Sequence, residues 1–267
     1  MITIQHISKF FHRGSVNEIH AIRDLSLHIH HGDFITIIGS NGAGKSTFLS
    51  CLAGTHTPDN GQILLHNTDI TQWPEHRRAA YIGRVFQDPL KGTFGGGTIV
   101  QNLALAKKRG QTRGLGRGVR NQDLPFFREQ LALLGLGLEN RLHDRVALLS
   151  GGQRQALTMI MATMVRPELL LLDEHTAALD PKTAAQILEL TRTLVSTHSL
   201  TTLMVTHNMQ QALDLGNRLI MMHRGTVIFD VAGEEKKALT VDALLHRFHC
   251  QGEIELSDRM LLETRQI

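Results

Sequence analysis

Apolar and polar residues alternate along residues 2–8 and 19–31, the period of two that a strand with one face in water produces. These stretches predict short strands near the start of the chain. His28 and His30 alternate with apolar neighbours, so they should lie on the wet face of the second strand. Metal binding by these two histidines is the alternative, but a separation of two residues gives it little support on its own.

Three further apolar runs are nearly continuous, which is typical of parallel strands buried on both faces of a sheet. They lie at residues 34–38, 169–172 and 202–206. A glycine-rich turn follows the first run, Asp173 and Glu174 follow the second, and His207 follows the third. Because open α/β sheets bind ligands at the carboxyl ends of their strands, these residues mark a candidate site.

The chain between the first two runs has a different pattern. Residues 99–106 and 126–134 show helical spacing and are separated by a loop rich in glycine and arginine. This segment therefore predicts a helical lobe inserted into the sheet-containing core. The tail from Val241 onward predicts one or two short amphipathic helices. Its apolar positions are Leu244, Leu245, Phe248, Leu256, Met260 and Leu261.

The composition is that of a globular protein, with 42% hydrophobic and 20% charged residues. A formal net charge of +3 is too small to indicate nucleic-acid binding by itself. Cys51 and Cys250 are far apart, so we expect neither a disulfide framework nor a metal site, and a reducing compartment is favoured. Neither a signal-peptide pattern nor an apolar run of about 18 residues is present, so a membrane role would require a partner.

The glycine-rich turn reads GSNGAGKST and matches the pattern GxxxxGK[ST]. Its glycines let backbone N–H groups turn toward a phosphate, and the helix predicted from Lys45 to Ala53 points its positive end at the same anion. Lys45 supplies a charge for the β- and γ-phosphates, and the Ser46 hydroxyl can ligate Mg²⁺. The predicted ATP-binding residues are Gly39, Ser40, Asn41, Gly42, Ala43, Gly44, Lys45, Ser46 and Thr47.

A second motif, LSGGQ at residues 149–153, lies between this turn and Asp173-Glu174, with a helix predicted over residues 154–165. In order and spacing it resembles the signature motif of the ATP-binding-cassette (ABC) ATPases, and the resemblance covers residues 2–235. It implies an α/β fold: a P-loop NTPase (RecA-like) core with a mostly parallel sheet, an N-terminal antiparallel β subdomain and an inserted α-helical lobe.

The resemblance also implies how the chain is divided. Residues 1–267 would form one nucleotide-binding domain. Its core and β subdomain would take residues 1–88 and 161–235, and the lobe that carries the signature would take residues 89–160. Residues 236–267 would form the helical tail.

Roles follow for the residues that match the family's motifs. Phe11 falls where the family places an aromatic ring that stacks on adenine, with Phe10 as the competing candidate. Gln87 matches the Q-loop and would contact Mg²⁺ or the attacking water. Asp173 would hold Mg²⁺ through water, and Glu174 would orient or deprotonate the attacking water.

Two further matches complete the implied site. His207 resembles the switch histidine, which reaches the γ-phosphate and steadies Glu174. Asp180 resembles the D-loop residue at a dimer seam, and a role as the cap of a helix beginning at Pro181 is compatible with it. The signature would act in trans on the ATP of a second copy. The residues that it and the D-loop would contribute there are Ser150, Gly151, Gly152, Gln153 and Asp180.

These features predict an ATPase that hydrolyses MgATP as a head-to-tail homodimer. We expect transmembrane permease subunits as partners, a solute-binding protein indirectly, no nucleic acid, and a peripheral position at the cytoplasmic face of the inner or plasma membrane. The sequence of residues 173–182, DEHTAALDPK, resembles that of importer ATPases of the amino-acid type, with those for tryptophan or tyrosine uptake the most similar. An exporter ATPase and a non-transport ABC ATPase acting on nucleic acid or ribosomes are the alternatives.

Two segments are less specific. Residues 91–98 form a candidate permease-docking surface through Phe94, with a flexible loop as the alternative. Residues 107–120 carry six basic and no acidic side chains. A solvated loop is the simpler interpretation of this stretch. Contact with anionic lipid head groups or a permease, or with RNA or DNA, are the alternatives.

Overall fold

The computed structural model describes residues 1–111, 114, 116 and 118–250. Within them the strands are, in chain order, β1 (Ile2–Phe11), β2 (Ile19–Ile29), β3 (Phe34–Gly39), β4 (Asn60–Leu65), β5 (Thr68–Asp69), β6 (Ile82–Val85), β7 (Leu169–Asp173), β8 (Thr202–Val205), β9 (Arg218–His223) and β10 (Thr226–Ala232). The α-helices are α1 (Lys45–Ala53), α2 (Glu75–Arg78), α3 (Ile99–Lys107), α4 (Leu124–Ala132), α5 (Gly151–Thr163), α6 (Pro181–His198), α7 (Met209–Asp214), α8 (Gly233–Lys237) and α9 (Val241–Cys250).

The contacts divide the chain into two compact units. Residues 1–78 and the chain from Thr201 onward form the first unit, and residues 79–200 form the second. The glycine-rich turn and His207 therefore lie in the first unit. The second unit holds the signature together with Asp173 and Glu174.

The first unit contains the antiparallel sheet that the alternating pattern predicts. Its strand order is β2-β1-β4-β5, and Ile2 on β1 faces Ile29 on β2 and Leu65 on β4. His28 is exposed on β2 and His30 is exposed directly after it, as the alternation predicts. Their rings meet edge to face with centroids 4.5 Å apart.

A second group of strands in the same unit has β3 in its interior, where all six residues of β3 are buried. β3 pairs in parallel with both β8 and β9, and β10 pairs antiparallel with β9. The helices α7 and α9 pack on one face of these strands through a core that includes Ile38, Met209 and Leu244. The start of the amphipathic tail, α9, is thus packed against this group of strands through Leu244. Leu256, Met260 and Leu261 lie outside the described residues.

The second unit holds a parallel pair of strands, with Ile82 facing Leu169 and Val85 facing Leu172. Its helices include α5, which packs against α3 and α6. The sequence placed the start of α5 at residue 154, and the helix begins at Gly151 instead. The earlier start has a physical cause, because the side chains of Ser150 and Gln153 form a capping box at the helix N-terminus.

Two of the six basic residues of segment 107–120 are not solvated loop residues. The Lys107 amino group pairs at 2.7 Å with Asp123, which lies beyond the end of the segment, and it lies near the Phe126 and Phe127 rings. Arg109 donates hydrogen bonds to backbone carbonyls beyond the segment. Two other basic residues of this segment, Arg113 and Arg117, lie outside the described residues.

Across the part of the chain that the structure describes, no helix has both the length and the apolar character needed to cross a membrane.

Candidate functional site

The backbone of other segments lies so close to the glycine-rich turn that two of its glycines cannot be replaced. Gly39 has φ 158°, and a Cβ built on it would lie 2.3 Å from the Met222 carbonyl oxygen. Gly44 has φ 96°, and a Cβ there would lie 2.4 Å from the Ala21 carbonyl oxygen. Neighbouring backbone therefore forces glycine at both ends of the turn.

The Lys45 amino group lies inside this turn. It donates hydrogen bonds to the Gly39 and Ser40 carbonyls at 2.7 and 3.0 Å, and the residue is only 6% exposed. Gly44 is the N-cap of α1, so no side chain caps the helix and its positive end faces the turn. A buried ammonium group and a helix N-terminus thus converge on one short loop, as an anion-binding cradle requires.

His207 occupies the equivalent position at the end of the neighbouring strand. Ile37 on β3 faces Val205 on β8, so Gly39 and His207 each lie two residues beyond a paired position. The backbone on both sides of His207 is fixed. Asn208 caps α7 by accepting a hydrogen bond from the Gln211 amide at 2.8 Å.

The two phenylalanines at the end of β1, which the sequence offers as candidates for stacking on adenine, have different surroundings. The Phe10 ring stacks on His20 with centroids 3.9 Å apart and an interplanar angle of 12°. Phe11 meets His56 edge-on at 5.2 Å. The Arg13 guanidinium also lies over Phe10, 5.1 Å from the ring centroid, and the Lys9 amino group lies over Phe11 at 5.8 Å. Since Phe10 has both a flat stack and the nearer cation, the contacts favour Phe11 as the ring more open to a base.

The second unit brings the acidic pair and the glutamine to the ends of two parallel strands. Val85 faces Leu172, so Gln87 and Glu174 each lie two residues beyond this pair. Asp173 is the last residue of β7 and is 8% exposed. Its Oδ2 accepts a hydrogen bond from Arg84 Nη2 at 3.2 Å.

Glu174 has a left-handed backbone, with φ 47°. Residues other than glycine rarely adopt this conformation, and it concentrates at functional positions. The next residue, His175, is 1% exposed and its Nε2 lies 3.0 Å from the Thr191 hydroxyl on α6. Burial lowers the pKa of His175 to about 4, so the ring is neutral at physiological pH. Glu174, with its left-handed backbone, is thus directly followed by a buried residue whose side chain is held by Thr191.

The signature residues form the start of α5. The Ser150 hydroxyl accepts a hydrogen bond from the Gln153 amide, and the Gln153 side chain accepts one from the Ser150 amide, both at 3.2 Å. A Cβ on Gly152 would lie 2.2 Å from Cγ2 of Thr183 on α6. The second glycine is therefore required by the close packing of two helices, and this packing fixes where the α5 N-terminus points.

Asp180 is the N-cap of α6, and its carboxylate accepts a hydrogen bond from the Thr183 amide at 3.0 Å. Pro181 follows in the first turn. The capping role that the sequence offered for Asp180 is confirmed. Hydrogen bonds from Thr183 lower the pKa of this carboxyl, so it is ionised at neutral pH.

Three residues that the sequence did not single out contact the predicted site. Arg84 pairs with Asp173, and His175 anchors the segment after Glu174. Gln155 is fully buried on α5, and its amide donates to the Phe86 carbonyl, directly before Gln87, at 3.2 Å. A signal was available only for His175, because it directly follows the apolar run at residues 169–172 and the acidic pair.

A family model described as ABC transporter matches residues 22–177. A tyrosine transport ATP-binding protein of Clostridioides difficile is 44% identical over 250 residues, which is 93% of this chain and 98% of that protein.

Two longer relatives are import ATP-binding proteins. The spermidine/putrescine import protein PotA of Vibrio parahaemolyticus is 33% identical over 98% of this chain, and the methionine import protein MetN of Aliivibrio fischeri is 33% identical over 85%. The chain spans 65% of the first relative and 64% of the second.

Among solved structures, the dimeric ATP-binding cassette MJ0796 in a post-hydrolysis state with ADP and Pi is 27% identical, with a TM-score of 0.73. The alignment covers 87% of this chain and 98% of that one. The fold and the motifs at its strand ends define a P-loop nucleotide-hydrolysing protein. The chain belongs to the ABC transporter family and is an ATP-binding, ATP-hydrolysing subunit. The predicted family and fold class are confirmed.

Proposed function

We propose that the chain is the ATPase subunit of a solute importer that closes as a head-to-tail homodimer around two MgATP molecules. The cradle formed by Lys45, Gly39 and Ser40 carries the nucleotide-binding part of this proposal, because a buried ammonium group beside an uncapped helix N-terminus suits a polyphosphate. Phe11 stacks on the adenine, and the glycine-rich turn from Gly39 to Thr47 holds the phosphates.

The three oxygen donors proposed for Mg²⁺ are of the type this ion prefers, because it takes hard ligands and keeps several waters. Ser46 offers a hydroxyl at the start of α1, Asp173 a carboxylate at the end of β7, and Gln87 an amide oxygen after β6. When bound, Mg²⁺ would neutralise phosphate charge during hydrolysis. The Asp173 carboxylate is paired with the Arg84 guanidinium at 3.2 Å, so a bound Mg²⁺ would share this carboxylate with a second positive charge.

In this proposal the protein contributes mainly positioning and charge to phosphoryl transfer. Glu174 orients the attacking water or accepts its proton, and the left-handed backbone and buried His175 fix where its carboxylate is presented. His207 contacts the γ-phosphate and steadies Glu174. Gln87 contacts the water or the metal.

The signature acts on the ATP of the second copy. Ser150, Gly151, Gly152 and Gln153 form the first turn of α5, whose positive end and hydroxyl suit a γ-phosphate. Asp180, in the D-loop that precedes α6, lies at the dimer seam. Loss of the γ-phosphate then removes the anion that joins the two copies, and hydrolysis reopens the dimer.

A permease supplies the membrane-spanning part, and segment 91–98 is its docking surface. Phe94 and Leu90 are 59% and 57% exposed. The Phe94 backbone is held on both sides by the buried Asn102 side chain, which accepts from the Phe94 amide at 2.8 Å and donates to its carbonyl at 3.0 Å. These bonds oppose the flexible-loop alternative and favour a fixed apolar platform.

The substrate class proposed is an amino acid, delivered by a solute-binding protein at the opposite side of the permease. This substrate class is supported by the sequence of residues 173–182 and by the similarity of the chain to tyrosine and methionine transport proteins. The chain then acts at the cytoplasmic face of the membrane, and no nucleic acid takes part.

The test has two parts. Calorimetry with MgATP on wild type and Lys45→Ala should give tight binding only for wild type, and equal affinities would refute the cradle. Purification of the tagged chain from detergent-solubilised native membranes should recover a stoichiometric polytopic membrane protein. Recovery of ribosomal proteins or nucleic acid without a permease would instead assign the ATPase to the non-transport alternative.

A further inference from the structure

Two helices of this chain present their N-termini to phosphate in the proposed function, α1 through the glycine-rich turn and α5 through the signature. The last four carbonyls of a helix have no partner within it, and they form its negative end. In both helices, part of this end is bound by an arginine from a distant position in the chain.

At α1 the arginine is Arg78, which is 1% exposed. Its Nη1 donates to the carbonyls of Cys51 and Leu52 in the last turn, at 2.6 and 2.9 Å. Its remaining donors reach the Trp73 carbonyl at 3.1 Å and the Thr71 carbonyl at 2.7 Å. The guanidinium therefore ties the end of α1 to the chain that precedes α2 and forms four hydrogen bonds to backbone oxygen.

The glycine after α1 makes room for this arrangement. Gly54 has φ 85°, and a Cβ there would lie 2.9 Å from both Cδ and Nε of Arg78. Burial lowers the pKa of Arg78, but arginine remains charged under all ordinary conditions. A permanent positive charge thus lies at the negative end of the helix that carries Lys45 and Ser46.

At α5 the arginine is Arg109, at the start of the basic segment. Its Nη1 donates to the Ala162 carbonyl at 2.9 Å, and its Nη2 donates to the Val165 carbonyl just beyond the helix. A glycine again makes room, because a Cβ on Gly83 would lie 2.8 Å from the Ala162 oxygen and 3.4 Å from Nη1. Burial also lowers the pKa of Arg109.

We infer that Arg78 and Arg109 are positioning residues for phosphate binding, each holding the C-terminal end of one helix so that its N-terminus meets phosphate in a fixed place and with a stronger positive potential. Their tasks are separate. Arg78 supports the cradle that binds ATP within one copy. Arg109 supports the signature that meets the ATP of the other copy, and this part rests on the proposed function.

Separate tasks predict separate defects. In a Glu174→Gln background, Arg78→Met should weaken binding of the fluorescent analogue mant-ATP to dilute, monomeric protein by about tenfold, whereas Arg109→Met should leave it within about twofold. Conversely, at saturating ATP, Arg109→Met should weaken dimerisation by about tenfold in sedimentation velocity. Arg78→Lys and Arg109→Lys should give the same pattern with smaller losses, because an ammonium group lacks the fork of donors.

Matched controls are available at each helix. Arg77 is exposed and stacks on Trp73 beside Arg78, and Arg166 is exposed directly after Val165. Arg77→Met and Arg166→Met should behave as the Glu174→Gln parent in both assays. If Arg78→Met does not fold, Arg78→Lys carries the test, with hydrogen-exchange mass spectrometry of α1 as its second readout and faster exchange in the last turn of α1 expected.

The outcomes are distinguishable. Weaker mant-ATP binding in Arg78→Met but not in Arg109→Met, together with weaker dimerisation in Arg109→Met, supports the inference. If each variant loses both mant-ATP binding and dimerisation in proportion to its fall in Tm, a general loss of stability explains the results and the inference is overturned. Unchanged binding and dimerisation in both variants also overturn it. Absence of mant-ATP binding or of ATP-dependent dimers in the parent and the controls would overturn the proposed function itself.

Discussion

Arg84 and Asp173 form an ion pair at 3.2 Å between the ends of two parallel strands, with side chains that are 13% and 12% exposed. The arginine also lies over the Phe86 ring, 4.7 Å from its centroid. The carboxylate proposed to hold Mg²⁺ therefore has the guanidinium of Arg84 beside it.

Arg84→Met should lower the free energy of unfolding by about 2 kcal/mol, because it removes a charge-assisted hydrogen bond from a largely buried carboxylate. The same change removes a positive charge that opposes Mg²⁺, so the apparent Kd for Mg²⁺ in the presence of ATP should fall roughly fivefold. Thermal melts over a Mg²⁺ titration measure both effects. Arg128→Met, on exposed α4 surface, is the control, and an unchanged Mg²⁺ affinity in Arg84→Met would contradict the competition.

Glu174→Gln should bind ATP with wild-type affinity, hydrolyse it at least about a hundredfold more slowly and accumulate a dimer. The amide keeps the shape of the side chain but cannot accept a proton from the attacking water. Phosphate release and size-exclusion chromatography with light scattering measure the two effects. Near-wild-type turnover would remove Glu174 from the reaction.

Gly152→Ala should destabilise the chain by about 1–3 kcal/mol and disturb the signature, because the added methyl would meet Cγ2 of Thr183. Thr183→Ser removes that carbon atom, so the double variant Gly152→Ala/Thr183→Ser should regain most of the loss. Gly151→Ala is the matched control, since its Cβ would lie an ordinary 3.7 Å from Leu179. Urea denaturation gives the free energy of unfolding of wild type, Gly152→Ala, the double variant and Gly151→Ala. A double variant no more stable than Gly152→Ala would show that the clash lies elsewhere.

His175 should make stability depend on pH. Its pKa is lowered by burial from 6.5 to about 4, so the unfolded chain binds the proton more readily than the folded chain. The contribution of the neutral ring is therefore complete above pH 6.5 and is lost as pH falls toward 4. Between pH 7 and pH 5 this loss is about 2 kcal/mol.

Urea denaturation at the two pH values measures this term. His175→Gln can still hydrogen-bond to Thr191 but does not titrate, so the difference in its free energy of unfolding between the two pH values should be smaller by that amount. An equal pH dependence in the variant and in wild type would assign the effect to other histidines.

Phe94→Asp should abolish co-purification of the permease and leave ATP binding by the isolated chain unchanged. The aspartate places a charge on an apolar platform that Asn102 holds rigidly. Leu133→Asp, a change at an equally exposed apolar residue at the end of α4, is the control. A fully assembled and coupled transporter with Phe94→Asp would reject this surface.

Much of the fold could be predicted from periodicity. The alternation before residue 31 predicted the antiparallel strands, and the continuous apolar run after it predicted β3, which is buried throughout. Element ends were less predictable. α5 begins at Gly151 because the reciprocal hydrogen bonds of Ser150 and Gln153 extend the helix, and helical spacing of apolar residues does not register such caps.

The sequence by itself determined the family and the motifs of the site, because each motif is a contiguous stretch whose glycines, charges and strand-to-helix context act locally. Only the tertiary structure decided which side chains support these motifs. Arg84 reaches Asp173 over 89 positions, and Arg109 reaches Ala162 over 53. Such partners depend on strand order and on how closely helices cross. The periodicity of a sequence predicts which face of an element is buried but not which distant residue that face meets.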